Sequence, residues 1–336
     1  MGEEATQRPA GSIKPVRTDP SPALVIASNL GGGIRRHLDL VASVTEVDVH
    51  ELPDPLPLAA KVRLARQLLR STGAGLVVTH GVAAAVAARH RGRRLADVRH
   101  VEHWHGDPFF LDPRRRVPYR ALARLGRAPA LQVFTHQWLV PLYHDDRSRF
   151  ETLPNTVPVV ERVRRPVTEP LRTAVFLGRL SEEKGLGDLL AAWPPDSVTR
   201  GWQLVVYGSG PLQGVHHPPG VTFCGDTDNP TAALTAAELV VIPSWTETGP
   251  YTACEAMAVG SPFVGTTTGD MPEFLASGCG WAVSPRRPDE LRTALLTAQS
   301  APVGDLTARG ERGRQWLTEH RPFSGWAETV ERIYRP

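Results

Sequence analysis

The chain has 336 residues, 41% of them hydrophobic and 22% charged, with a formal net charge of +3. That is the balance of a globular protein long enough for two cores, and its net charge by itself does not imply nucleic acid. Its three cysteines, Cys224, Cys254 and Cys279, are too widely spaced for a CxxC pair, which excludes a disulfide scaffold and a structural zinc site and suits a reducing cytoplasm.

The acidic start Met1-Gly2-Glu3-Glu4 does not read as a secretory signal. With Thr6 it fits the loose myristoylation pattern, which nothing else supports. Residues 1–22 lack periodicity and read as a disordered tail. Beyond them short β-branched runs alternate with helical stretches. Ala23–Asn29, Thr45–Leu52, Gly75–His80, Val98–His105 and Ala130–His136 read as strands. Helical patterns lie near Ile34–Ala42, Ala59–Leu69, Ala83–Arg89, Tyr119–Leu125 and Leu139–His144. After the Pro-, Val- and Arg-rich stretch Pro154–Pro170, a second series has strands at Thr173–Leu177, Gln203–Tyr207, Val221–Cys224, Leu239–Pro243, Pro262–Gly265 and Gly280–Val283. Its helical stretches are Asp188–Trp193, Thr231–Glu238, Tyr251–Val259 and Asp289–Gln299, with a last helix near Trp326–Tyr334. Strands spaced by helices predict parallel sheets covered on both faces. The fold expected is α/β, with two doubly wound, Rossmann-like domains facing a central cleft. The N-terminal domain spans 23–157, a linker 158–170 and the C-terminal domain 171–321.

Ligands of open parallel sheets bind beyond the carboxyl ends of the strands. In the first half that rule selects Gly31-Gly32-Gly33, His80, His105-Gly106 and His136. The glycines precede a helix, where bare amides can approach a phosphate or sugar, but G-G-G-I-R-R is not a dinucleotide fingerprint. Each histidine equally suits a local hydrogen bond to a carbonyl. His103 and His105 share a strand face, yet no neighbouring Cys or carboxylate completes a metal site, so no metal is expected. In the second half the rule selects Gly178-Arg179-Leu180 and Ser181-Glu182-Glu183-Lys184-Gly185. Two cations beside a helix start suit a diphosphate, and lysine is scarce: Lys14, Lys61 and Lys184 are the only three. Farther on, Glu247 falls in a strand-to-helix loop and Glu255 a turn into the helix, where paired carboxylates can accept hydrogen bonds from vicinal hydroxyls. Asp226-Thr227-Asp228 reads as turn and cap chemistry.

Together these stretches resemble glycosyltransferase family 4, the retaining, nucleotide-sugar-dependent group with the GT-B fold. The resemblance is carried by FLGRLSEEKG (176–185), VYGSGP (206–211), Val221–Gly225, VIPS (241–244), ETGPYTACEAMAVG (247–260) and GDMPE (269–273). It is weaker in the first half, through the triple glycine and His105-Gly106. The resemblance implies that Arg179 and Lys184 bind the donor diphosphate and stabilise the leaving group. It implies that Glu255 accepts the ribose hydroxyls and that Glu247 holds hydroxyls of the transferred sugar. His105 would contact the donor sugar, and Gly32 and Gly33 would let the phosphates approach. Gly178, Gly208, Gly249, Tyr251 and Thr252 would complete the donor site; His80 and His136, placed at strand ends, are expected to face the acceptor. The last helix, about 322–336, resembles one that crosses back to the N-terminal domain. The sequence departs from the family at Thr248-Gly249-Pro250, where Pro250 offers no amide.

The implied reaction is metal-independent transfer of a hexosyl unit, from a UDP-sugar rather than a GDP- or ADP-sugar, with no other cofactor and no nucleic acid partner. Two other readings stand beside it: a non-catalytic nucleotide-sugar sensor or partner subunit, and a phosphorylase or nucleotide-sugar epimerase. The acceptor is open between a small metabolite such as an aminocyclitol and a lipid-linked sugar. Arg89, Arg91, Arg93, Arg94, Arg99, Arg114, Arg115, Arg116, Arg120, Arg124 and Arg127 suggest either a solvated surface or a face for anionic headgroups. The location expected is cytoplasmic, with peripheral contact to the inner membrane face on the second of those readings.

Overall fold

The computed structural model describes residues 22–28, 32–92, 95–106, 121, 124–160 and 172–336. The tail 1–21, Gly31, Arg93, Arg94, Arg114, Arg115, Arg116, Arg120 and most of the expected linker lie outside the described residues.

The first domain holds β1 (Ala23–Ala27), α1 (Gly32–Val44), β2 (Val47–Glu51), α2 (Leu58–Ser71), β3 (Leu76–His80), α3 (Val82–Arg89), β4 (Arg99–Trp104), β5 (Leu131–Phe134), the single turn α4 (Val140–Tyr143) and β6 (Arg149–Thr152). Its six strands are all parallel, in the order β2-β1-β3-β4-β5-β6. β1, β3 and β5 are buried along their whole length, as strands covered on both faces must be. β6 carries no apolar alternation in the sequence. It is an edge strand with three of its four residues exposed, so only its pairing with β5 defines it.

The second domain holds β7 (Arg172–Leu177), α5 (Leu186–Ala192), β8 (Trp202–Tyr207), β9 (Val221–Gly225), α6 (Pro230–Thr235), β10 (Leu239–Ile242), α7 (Tyr251–Ala258), β11 (Phe263–Thr266), α8 (Met271–Ala276), β12 (Gly280–Val283), α9 (Pro288–Ser300), α10 (Val303–His320) and α11 (Phe323–Tyr334). Its parallel order is β12-β11-β10-β7-β8-β9. The chain reverses direction across each sheet between β1 and β3 and between β7 and β10. Such switch points open the crevices that doubly wound sheets use for ligands.

The sequence reading passed over α10, whose Gly310 and Gly313 each weaken a helix by about 1 kcal/mol relative to alanine. Packing explains them. A Cβ on Gly310 would overlap the Gly260 carbonyl, and one on Gly313 would press on Cys279 and Met257. The small residues let α10 lie directly on α7 and the turn that ends it.

One contiguous apolar cluster joins the domains. It runs from β1 and α1 through Tyr251 and Met257 of α7 to Trp326, Val330, Ile333 and Tyr334 of α11. α11 is held on the first domain by polar contacts too. Arg332 pairs with Glu151 at 2.6 Å, and Arg99 donates to the Arg335 carbonyl. Among the described residues no helix is long and apolar enough to cross a membrane.

The structure revises the suggested basic face. Arg89 is only 1% exposed and binds Glu102 and Asp145, while Arg91 spends its guanidinium on the carbonyls of Leu95, Ala88 and Val98. Both side chains are structural, because a buried guanidinium is tolerated only when its donors are paired.

Candidate active site

Both switch points open onto the same interdomain space. In the second domain, β7 ends at Leu177 and leads through Gly178 and Arg179 to a 3-10 turn over Glu182–Lys184. Gly185 closes that turn in the left-handed region, with its α-carbon against the Pro243 carbonyl where no Cβ fits. This close approach fixes Lys184 beside the loop after β10. There Lys184 Nζ lies 2.7 Å from Glu247 Oε1, which also accepts from Ser244 Oγ at 2.7 Å. Arg179 is not drawn into this pair. Its guanidinium is 56% exposed and bonds Glu183 at 2.9 Å.

Gly178 and Gly208 sit back to back at the ends of β7 and β8, and a Cβ on Gly208 would overlap the Gly178 carbonyl. Thr252 Oγ1 donates to the Leu177 carbonyl, and the Gly249 carbonyl accepts from Asn155 Nδ2 at 2.6 Å. Asp226-Thr227-Asp228 is turn and cap: Thr227 Oγ1 accepts from the Asn229 amide, and Asn229 caps α6.

The first domain faces this loop from the other side. Gly32 and Gly33 open α1, with Tyr251 the nearest group to Gly33 across the cleft. One turn on, Arg36 Nε donates to Glu255 Oε1 at 2.7 Å. Burial pushes the Glu255 carboxyl up, and the Arg36 charge opposes that rise. Arg36 was not singled out by the sequence, although it lies three residues beyond the triple glycine, half-buried on α1. Gly106 follows β4 at φ +83°, and a Cβ there would overlap Thr248 Oγ1. Loops of the two domains thus meet beside His105.

His136, after β5, lies 2.9 Å from Asp270 Oδ1 of the second domain, while Asp270 Oδ2 accepts from Arg321 at 2.5 Å. His80 is a correction to the sequence reading. Its side chain is fully buried, with Nδ1 2.9 Å from His105 Nε2 and Nε2 3.1 Å from the Tyr334 hydroxyl. It cannot touch an acceptor directly, because both ring nitrogens and all its surface are taken up inside the protein. His37, His80 and His103 all pack within 6 Å of the His105 ring, centroid to centroid. The strand rule found His80 and His105 but not His37, which arrives from α1, or Tyr334, which arrives from the far end of the chain.

Residues 172–300 match the family described as Glycosyl transferases group 1. Among curated proteins, the glycogen synthase of Mycobacterium tuberculosis H37Rv is 31% identical over 183 residues, covering 51% of this chain and 44% of that one. The 2-deoxystreptamine N-acetyl-D-glucosaminyltransferase of Streptomyces fradiae is 27% identical over 238 residues, covering 63% and 55%. Across the curated relatives the matches span between 28% and 55% of their length. The solved structure of Anabaena HepE with UDP and glucose superposes with a TM-score of 0.71, covering 93% of this chain and 99% of that one at 15% identity, a likeness of fold. The chain thus has the two-domain GT-B fold, and its residues 172–300 are similar to the Glycosyl transferases group 1 family.

Proposed function

We propose that this protein is a retaining glycosyltransferase that moves a hexosyl unit from a nucleotide sugar, a UDP-sugar before others, to an acceptor hydroxyl. The observation that carries the reading is the Lys184–Glu247 pair at the β7/β10 switch point, set opposite the Arg36–Glu255 pair of the same cleft. A diphosphate needs a cation that does not move far, and a sugar and a ribose each need a carboxylate to accept vicinal hydroxyl protons. Lys184, Glu247 and Glu255 have those chemistries.

Cleavage at the anomeric carbon leaves negative charge on the departing diphosphate. Lys184, with Arg179 folding in from the rim, is preorganised to meet that charge, so the stabilisation grows toward the transition state. Such cations can serve in place of a divalent metal. In the retaining course the acceptor attacks on the face the diphosphate leaves, and a phosphate oxygen takes the acceptor proton. The HepE structure contains UDP and glucose, which supports UDP as the nucleotide. The Streptomyces fradiae relative is named for a small aminocyclitol acceptor, which supports testing soluble polyols first.

The test is thermal unfolding across a panel of nucleotides and nucleotide sugars, with Lys184→Ala and Glu255→Ala as controls. A ligand that binds only the folded state raises the melting temperature by mass action. The expected result is a shift with one nucleotide family that both variants lose, followed by release of the nucleoside diphosphate once an acceptor is supplied. No shift with any of them defeats the reading.

A further inference from the structure

Beneath the cleft, four imidazoles and two phenols form one hydrogen-bonded chain. The Tyr334 hydroxyl lies 3.1 Å from His80 Nε2, 3.3 Å from His103 Nδ1 and 3.4 Å from His37 Nε2. His80 Nδ1 lies 2.9 Å from His105 Nε2, and His37 Nδ1 lies 3.0 Å from the Tyr251 hydroxyl. His37, His80 and His103 are closed to solvent, and only His105 retains exposure. Burial, with mutual repulsion among the rings, holds His37, His80 and His103 well below the ordinary histidine value, and burial pushes His105 down to about 3. Each ring is therefore neutral near pH 7, with one N–H and one lone pair to place.

The placement has one solution that leaves no buried hydrogen without an acceptor. His103 Nε2 has no partner among the described residues. A buried orphan donor is worse tolerated than an orphan acceptor, so the His103 proton sits on Nδ1 and is donated to Tyr334. The phenol oxygen can accept once more and must donate its own proton, so one of His37 and His80 donates to it and the other accepts. Were His37 the acceptor, its proton would sit on Nδ1, facing Tyr251. The buried Tyr251 hydroxyl hydrogen would then have no acceptor among the described residues. So Tyr251 donates to His37, His37 to Tyr334, Tyr334 to His80, and His80 Nδ1–H to His105 Nε2. The last proton is left on His105 Nδ1.

The geometry points to a proton-ordered chain, Tyr251–His37–Tyr334–His80–His105, that holds His105 in its Nδ1–H tautomer and makes it a hydrogen-bond donor to a ligand oxygen. His80, Tyr334 and His37 are then positioning residues. The tautomer stands on the hydrogen-bond geometry alone, whereas the ligand, a sugar hydroxyl or phosphate oxygen, rests on the nucleotide-sugar reading above. A cation is the competing use of these rings, since nitrogens of His37, His103 and His105 lie within 4.8 Å of one another. Two features oppose it. The rings of His103 and His105 stack at 16°, so their lone pairs lie in nearly parallel planes that do not meet at one ion. Nitrogens of His37 and His103 already converge on the Tyr334 hydroxyl.

Long-range 1H–15N correlation spectra of the full chain with 15N-labelled histidine, at pH 7.5, read each tautomer directly. His105→Gln assigns the signals. The expected spectrum has a protonated, pyrrole-like Nδ1 and an unprotonated Nε2 on His105. In His80→Leu both His105 nitrogens move toward intermediate shifts as its tautomers interconvert. A protonated Nε2 in the wild-type protein overturns the chain without any variant, and so do His105 signals unmoved by His80→Leu. Spectra that change on adding a chelator overturn it in favour of a bound ion. If the tautomers are as expected but neither UDP nor any nucleotide sugar perturbs a histidine signal, the ligand role and the nucleotide-sugar reading fail while the chain stands.

Discussion

Lowering the pH from 7.5 to 5.5 is expected to cost this protein a large part of its stability, and the size of the loss follows from four side chains. His37, His80, His100 and His103 are each at most 1% exposed. Burial lowers all four, His100 to about 4 and the others well below the ordinary value of 6.5. In the unfolded chain each takes up a proton as the pH falls through 6.5, whereas the folded protein stays unprotonated until much lower. The unfolded state then binds more protons, so stability falls with pH across that window. One unit below 6.5, each ring contributes a loss somewhat over ~1 kcal/mol, on the order of 5 kcal/mol for these four, and His105, pushed down to about 3, adds to it in the same direction. Native domains have about 5–15 kcal/mol in all. Burial raises Glu255 and Asp270, which act in the opposite direction, but Arg36 and Arg321 oppose both shifts and limit the offset. Urea unfolding at pH 7.5, 6.5 and 5.5 measures the loss, and the Tyr334→Phe variant reports how far the hydroxyl hub sustains it. A change below about 1 kcal/mol between pH 7.5 and 5.5 would mean that the folded protein carries these protons. The burial argument, and the neutral rings the proton-ordered chain requires, would both be refuted.

Other outcomes follow from particular contacts. Lys184→Met should lower turnover by about 10²–10³, the usual cost of losing one group that meets transition-state charge. Its folding stability should move by no more than about 1 kcal/mol, because a partly exposed pair contributes little and Lys184 is 30% exposed; nucleotide release and a melting curve separate the two. Arg89→Met leaves the wholly buried Glu102 without its cation and should cost about 3–5 kcal/mol in denaturant unfolding. Gly106→Ala combines a positive φ with overlap on Thr248 Oγ1. It should destabilise by at least about 1–2 kcal/mol, and Thr248→Ala in the same chain should recover only the overlap.

Much of this protein was legible without coordinates because its signals are local. The strands of the second domain are short β-branched runs bounded by Gly and Pro, so all six, β7 to β12, were placed to within a residue or two. The ends of those strands then named Lys184 and Glu247. What local pattern could not supply was partnership. β6 has no alternation to read, because an edge strand exposes most of its side chains, and α10 carries glycines whose use, close packing on α7 and the turn that ends it, shows only in the fold. Arg89 and Arg91 looked like surface, because arginine carries the same letter whether it is solvated or locked to a buried carboxylate. Arg36 meets Glu255 from 219 positions away, and Tyr334 meets His80 from 254. Sequence by itself determined the two sheets and which loops lie at their carboxyl ends, since both follow from periodicity and from the handedness of parallel connections. Tertiary structure alone decided how the histidines are shared between one partly buried ring and three fully buried ones, because hydrogen-bond networks form between residues that only the folded chain brings together.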